Sequence, residues 1–181
     1  MRTSDCDILI VPGLGGSGPD HWQSRWERQL STARRVSQRD WDAPDLGAWA
    51  DRLAAEAEGA TRPVVVVAHS LGAHVVAEAA ARLAGRIAGA FLVAPPDLDD
   101  PARMPQSVAG LRVPTTALPF PSIVVASRTD PLCTYERAEA IAAGWAAPLV
   151  DAGDAGHLNT QAGYGPWPEG LMRFAGFLKT L

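Results

Sequence analysis

The chain has 181 residues, 47% apolar and 20% charged, a balance that fits one folded domain and excludes wholesale disorder. No apolar run reaches the roughly 18–20 residues of a membrane-spanning helix. A formal charge of −4 without a basic block argues against nucleic acid as the main partner.

The run Asp7–Val11 ends at Pro12-Gly13 and reads as a strand followed by a tight turn. Pro19 suits the first turn of a helix whose inner face carries Trp22, Trp26 and Leu30. Residues 33–38 are a short strand, and Asp45 caps a helix to about residue 57 with Leu46, Trp49 and Leu53 inward. The unbroken apolar run 64–68 is a strand of the doubly buried, parallel type. An alanine-rich helix over 71–84 closes at Gly85. Residues 87–94 and Ser122–Ala126 are further strands, separated by a proline-rich stretch. Thr134 caps a helix to about 147, Leu149–Asp151 is a short strand, and Pro168–Leu178 is the last helix.

Six β runs interleaved with helices predict a single-domain α/β fold over residues 1–181, with one parallel sheet covered on both faces. Ligands of such sheets sit at the carboxyl ends of the strands, so the residues just past each strand carry the functional information. After the third strand comes Ala68-His69-Ser70-Leu71-Gly72, a G-x-S-x-G nucleophile elbow with alanine in the first position. The small residues let strand and helix meet closely, and the helix start offers free N–H groups and a positive dipole end beside the serine. A helix-capping serine after a buried strand would fit the same five residues. After the fifth strand, Asp130 precedes Pro131; after the sixth, His157 sits in a glycine loop. Taken singly, these are an Asp-Pro turn and a loop histidine. In the chain order Ser70, Asp130, His157, each at a strand end, they form the Ser–Asp–His series of the α/β-hydrolases. Asp151 and Asp154 lie nearer His157 in sequence, and Asp97, Asp99 and Asp100 follow the fourth strand. Asp130 is favoured because the fifth strand neighbours the sixth, on the side of the imidazole away from the serine.

Acyl transfer also needs two N–H groups for the oxyanion. Leu71, after the nucleophile, and Leu14, in the glycine turn after the first strand, are the candidates. Gly13-Leu14-Gly15-Gly16-Ser17-Gly18 also matches the dinucleotide fingerprint G-x-G-x-x-G, with Asp40 or Asp42 placed for a ribose. The short chain and its single lysine, Lys179, oppose that reading, since no Tyr-x-x-x-Lys pair, Walker lysine or Schiff-base lysine is available. His21, His69, His74 and His157 show no zinc pattern, so no metal and no cofactor are expected. The start of the chain lacks a secretory layout, and Cys6 and Cys133 read as reduced thiols, which together predict a cytoplasmic setting.

The segments Val11 to Trp22 (VPGLGGSGPDHW), His69-Ser70-Leu71-Gly72, Gly156-His157-Leu158-Asn159 and Gly165 to Gly170 (GPWPEG) span nearly the whole chain. Together they resemble the small, cap-less serine hydrolases related to retinoblastoma-binding protein. The resemblance implies a Ser70–His157–Asp130 triad and a hydrolase sheet without its first two strands, in the order 2-1-3-4-5-6. Gly13, His21, His69, Asn159 and Trp167 are the candidate substrate-facing residues, and the segment 159–167 and Trp22 are placed beside the site, although helical spacing from Trp26 favours core packing for the Trp22 ring. The expected activity is cleavage of a small acyl ester, thioester or activated amide, so the partner is a small-molecule acyl substrate, with a protein partner left open. A non-catalytic binding module on the same fold is the rival. Residues 95–121, with seven prolines in 27 positions, are too stiff for a helical lid, though Met104, Leu111 and Leu118 are candidates for a wall of the site.

Overall fold

All six expected strands form, and the computed structural model describes residues 1–181. The strands are β1 (Asp7–Val11), β2 (Ala33–Arg35), β3 (Val64–His69), β4 (Ile87–Val93), β5 (Ser122–Ala126) and β6 (Leu149–Asp151). They make one all-parallel sheet in the order β2-β1-β3-β4-β5-β6, the order the resemblance implies. The helices are α1 (Trp22–Gln29), α2 (Leu46–Glu58), α3 (Leu71–Glu78), α4 (Ala80–Leu83), α5 (Tyr135–Gly144) and α6 (Pro168–Leu178).

The two-residue period of a strand divides the buried side chains between two faces. Leu9, Val11, Val66, Ala68 and Leu92 join Trp49 and Leu53 of α2, Leu71 and Val75 of α3 and Ile141 of α5. Ile8, Ile10, Val65, Val67, Phe91 and Val93 meet Trp22 and Trp26 of α1 and Phe174 and Phe177 of α6. No helix is long and apolar enough to cross a membrane.

Local chemistry moved four boundaries. Helix α1 starts at Trp22, not at Pro19, because His21 is its cap and the His21 Nδ1 accepts the Gln23 N–H at 3.2 Å. Strand β2 stops at Arg35 rather than 38; its last hydrogen bond to β1 runs from Val36 N–H to the Ile10 carbonyl. The alanine-rich helix breaks at Ala79 into α3 and α4. Helix α5 ends at Gly144, since the Trp145 indole turns inward to donate to the Pro114 carbonyl at 2.7 Å and Ala146 takes a positive φ of 55°.

The proline-rich connection between β4 and β5 contains one 3-10 turn, Gln106–Val108, and no helical lid. Leu118 is buried on the α2–α3–α5 face, with Met104 and Leu111 packed against it. No residue of this connection lines the cavity beside Ser70, so Met104, Leu111 and Leu118 are core side chains and not a wall of the site.

Candidate active site

Backbone crowding fixes the serine. Ser70 stands between β3 and α3 with φ 56° and ψ −128°, a conformation that costs a non-glycine residue of the order of 1–3 kcal/mol and persists only where neighbours enforce it. They do. A Cβ on Gly72 would lie 2.3 Å from the Val11 carbonyl oxygen, and one on Gly13 would lie 2.9 Å from both the Leu71 nitrogen and the Ser70 Cβ. The ends of β1 and β3 and the start of α3 thus meet at backbone contact. Gly13 does not line the cavity, contrary to its expected substrate-facing role; it is the glycine that lets the two turns touch. Leu71 opens α3 and Leu14 opens the 3-10 turn Leu14–Gly16, so both N–H groups fall outside helical hydrogen bonding.

Hydrogen bonds, not crowding, fix the opposite side. Ser70 Oγ lies 2.9 Å from His157 Nε2, and His157 Nδ1 lies 2.9 and 3.0 Å from the two carboxylate oxygens of Asp130. Both Asp130 and His157 are buried. With Asp130 accepting from Nδ1–H, the other ring nitrogen faces the serine hydroxyl as an acceptor. Asp130 also accepts the Leu132 N–H at 2.9 Å, which orients its carboxylate. The competing acids are engaged elsewhere: Asp151 with Arg128, Asp97 and Asp99 with Arg137, and Asp100 with Arg103, while Asp154 is exposed.

The loops after β5 and β6 are tied together by residues that carried no sequence signal. Ser127 Oγ accepts the Ala155 N–H at 2.9 Å, and Thr129 Oγ1 accepts the Gly156 N–H at 3.1 Å. The Trp22 indole donates to the Leu158 carbonyl at 2.9 Å, which confirms Trp22 as a core residue and gives it a grip on the histidine loop. Across the site, Gln23 donates to the Val11 and Val67 carbonyls and accepts from Ser17 Oγ at 2.7 Å. Arg35 donates to the carbonyls of Gly16 and Ser17, holding the glycine turn from behind.

His21 and His69 line the cavity. The His69 ring sits between the other two imidazoles, 4.8 Å from His21 and 5.0 Å from His157, and its Nε2 bonds the His157 carbonyl at 2.9 Å. Burial pushes His21 down to about 4, with His157 and Arg35 adding to the effect. Burial, then His157 and His21, push His69 well below the ordinary range, against the hydrogen bond to the His157 carbonyl. Both are neutral near pH 7. Asn159 reaches the cavity while its carboxamide oxygen caps the 3-10 turn Thr160–Ala162 by accepting the Ala162 N–H. Trp167 does not reach it. Its ring is buried against Trp22, Trp26 and Phe91, so it is a core residue and not a substrate contact. Thr160 and Gln161, from the segment 159–167 expected beside the site, line the cavity too, and Ser17 joins them without having been expected.

A strand-end serine bonded to a histidine, itself bonded to a carboxylate, is an arrangement for nucleophilic attack on a carbonyl. The family model described as serine hydrolase matches residues 8–176. The chain belongs to the serine hydrolase family. Among solved structures, a protein described as a YdeN-like hydrolase from Pectobacterium atrosepticum is 37% identical. It superposes with a TM-score of 0.86 over 98% of this chain and 93% of its own. The ydeN gene product of B. subtilis is 18% identical, with a TM-score of 0.79 over 96% of this chain and 99% of that one. An esterase of Pyrococcus furiosus is also 18% identical, with a TM-score of 0.66 over 97% and 82% of the two chains. At that identity the last two share the fold alone. No curated protein matches the sequence. As a family member the chain is a serine hydrolase on an α/β-hydrolase sheet.

Proposed function

We propose that this serine hydrolase cleaves small acyl esters, or the related thioesters and activated amides, through an acyl-enzyme on Ser70. The observation that carries the reading is the unbroken hydrogen-bond series from Ser70 Oγ through both nitrogens of His157 to Asp130, each link at 2.9–3.0 Å. Ser70 Oγ attacks the carbonyl carbon as His157 Nε2 takes its proton. Asp130 holds the Nδ1–H tautomer and stabilises the imidazolium. The carbonyl electron pair moves to oxygen, where the N–H groups of Leu71 and Leu14 receive it. The tetrahedral adduct collapses, and the leaving alcohol departs with the proton from His157. Water, deprotonated by the same imidazole, then attacks the acyl-serine and returns the enzyme. No step calls for a cofactor.

The narrower likeness to the hydrolases related to retinoblastoma-binding protein rests on the Asp20-His21-Trp22 and Gly165 to Gly170 segments. Two buried free thiols, Cys6 and Cys133, support a cytoplasmic setting. The implied partner is a small-molecule acyl substrate. Turnover of an acetyl or butyryl ester by the wild type and by Ser70→Ala tests the reading. It predicts loss of on the order of 10⁶ in kcat with the fold intact, whereas near-normal turnover by Ser70→Ala would refute it.

A further inference from the structure

The cavity beside Ser70 has a volume of about 250 Å³, below the roughly 300–1,000 Å³ of pockets that enclose drug-sized ligands. Its lining is also unusual, since ligand sites are ordinarily walled by apolar side chains. Leu14 is the single apolar residue among the eleven that form it, and Leu14 is itself 36% exposed. No Asp, Glu, Lys or Arg takes part. Ser17 and His21 face the cavity from the side of the glycine turn, and Asn159, Thr160 and Gln161 from the side of the histidine loop.

We propose, on the serine-hydrolase reading of this site given above, that its substrates are short esters flanked by uncharged hydrogen-bonding groups (hydroxyl, ether or amide) rather than by aliphatic chains. An alkyl chain seated here would displace water from the Ser17 and Thr160 hydroxyls and the Asn159 and Gln161 amides without replacing a hydrogen bond. A polar flank replaces them. Sites whose polar groups are left unpaired by an analogue discriminate against it more strongly than apolar pockets do. The donors are defined. Because His21 Nδ1 accepts the Gln23 N–H, its proton sits on Nε2. Because the Asn159 carboxamide oxygen caps the Thr160–Ala162 turn, its NH₂ is left to donate. A charged flank gains nothing, since no ionised side chain lines the cavity and burial keeps His21 neutral near pH 7.

The test compares esters matched in length, methoxyacetate against butyrate of one alcohol, and glyceryl acetate against butyl acetate. Hemisuccinate and glycinate serve as charged counterparts. Each kcat/KM is divided by the hydroxide-catalysed rate, because an ether oxygen itself activates the carbonyl. The expected result is a preference for the neutral polar member of at least about tenfold, shrinking toward unity in Thr160→Val and Gln161→Leu. Equal or faster normalised turnover of the alkyl esters overturns the proposal, as does best turnover of a charged ester or a preference that both variants leave unchanged. If a fluorophosphonate still labels Ser70 while alkyl esters are preferred, this proposal alone falls. If no ester is cleaved and Ser70 is unlabelled, the hydrolase reading falls and takes the proposal with it.

Discussion

The two halves of the site are held in different ways. The serine half is fixed by steric contact: β1, the glycine turn and α3 approach so closely that glycine at 72 is the only residue without a clash, and Ser70 is forced to a positive φ. The acid–histidine half is fixed by single hydrogen bonds from distant residues, with Ser127 and Thr129 holding the loop backbone and Trp22 holding Leu158. The serine half should therefore fail as a unit with the fold, whereas the histidine half should lose activity in graded steps.

The largest effect is expected at Gly72→Ala. Its Cβ would sit 2.3 Å from the Val11 carbonyl oxygen and 2.8 Å from that of Pro12, and backbone atoms cannot step aside. A loss of at least about 3 kcal/mol in urea unfolding is expected, together with activity; a fully stable variant would show that the contact is not what fixes the elbow. Next comes Asp130→Asn, which should lower kcat by on the order of 10⁴ through the wrong imidazole tautomer with little change in stability. Asp151→Asn and Asp97→Asn should remain active, their carboxylates being paired with Arg128 and Arg137.

Ser127→Ala removes the acceptor of both the Ala155 and Thr129 N–H groups. About 1–3 kcal/mol of stability should be lost, with kcat falling by more than the folded fraction does. Trp22→Phe loses the bond to the Leu158 carbonyl and part of a fully buried ring, so about 1–3 kcal/mol is expected, again with kcat falling further than KM rises. Equal kinetics in both variants would mean that the histidine loop holds itself. A separate prediction concerns pH. His21 and His74 are both held down to about 4, chiefly by burial, so between pH 6.5 and 4 the unfolded chain binds protons that the folded chain does not. Their contribution is present above pH 6.5 and is lost as pH falls through that window. The urea midpoint should drop accordingly, and less steeply in His74→Leu relative to that variant's own value at pH 7.

How far each half can be read from the sequence follows from the same contrast. The elbow is written in consecutive residues, because close packing of a strand on the following helix demands small side chains at fixed spacing. The four inner strands were equally plain, as buried parallel strands are continuous apolar runs, whereas the half-buried edge strands β2 and β6 are three residues each and carry charged side chains. Ser127, Thr129, Gln23 and Arg35 act across 12 to 44 positions of chain through one hydrogen bond or a few, and nothing local marks them. Trp167 misled for the same reason: its segment flanks the site in sequence, but its ring is taken by the aromatic face of α1 and α6.

On the proposed function, the crowded elbow presents Ser70 as the single nucleophile to a histidine delivered from the far side. Peptide mapping after fluorophosphonate labelling measures this directly. One adduct, on the peptide containing Ser70 and absent in Ser70→Ala, is the predicted result. An adduct on another serine, or equal labelling of Ser70→Ala, would contradict it.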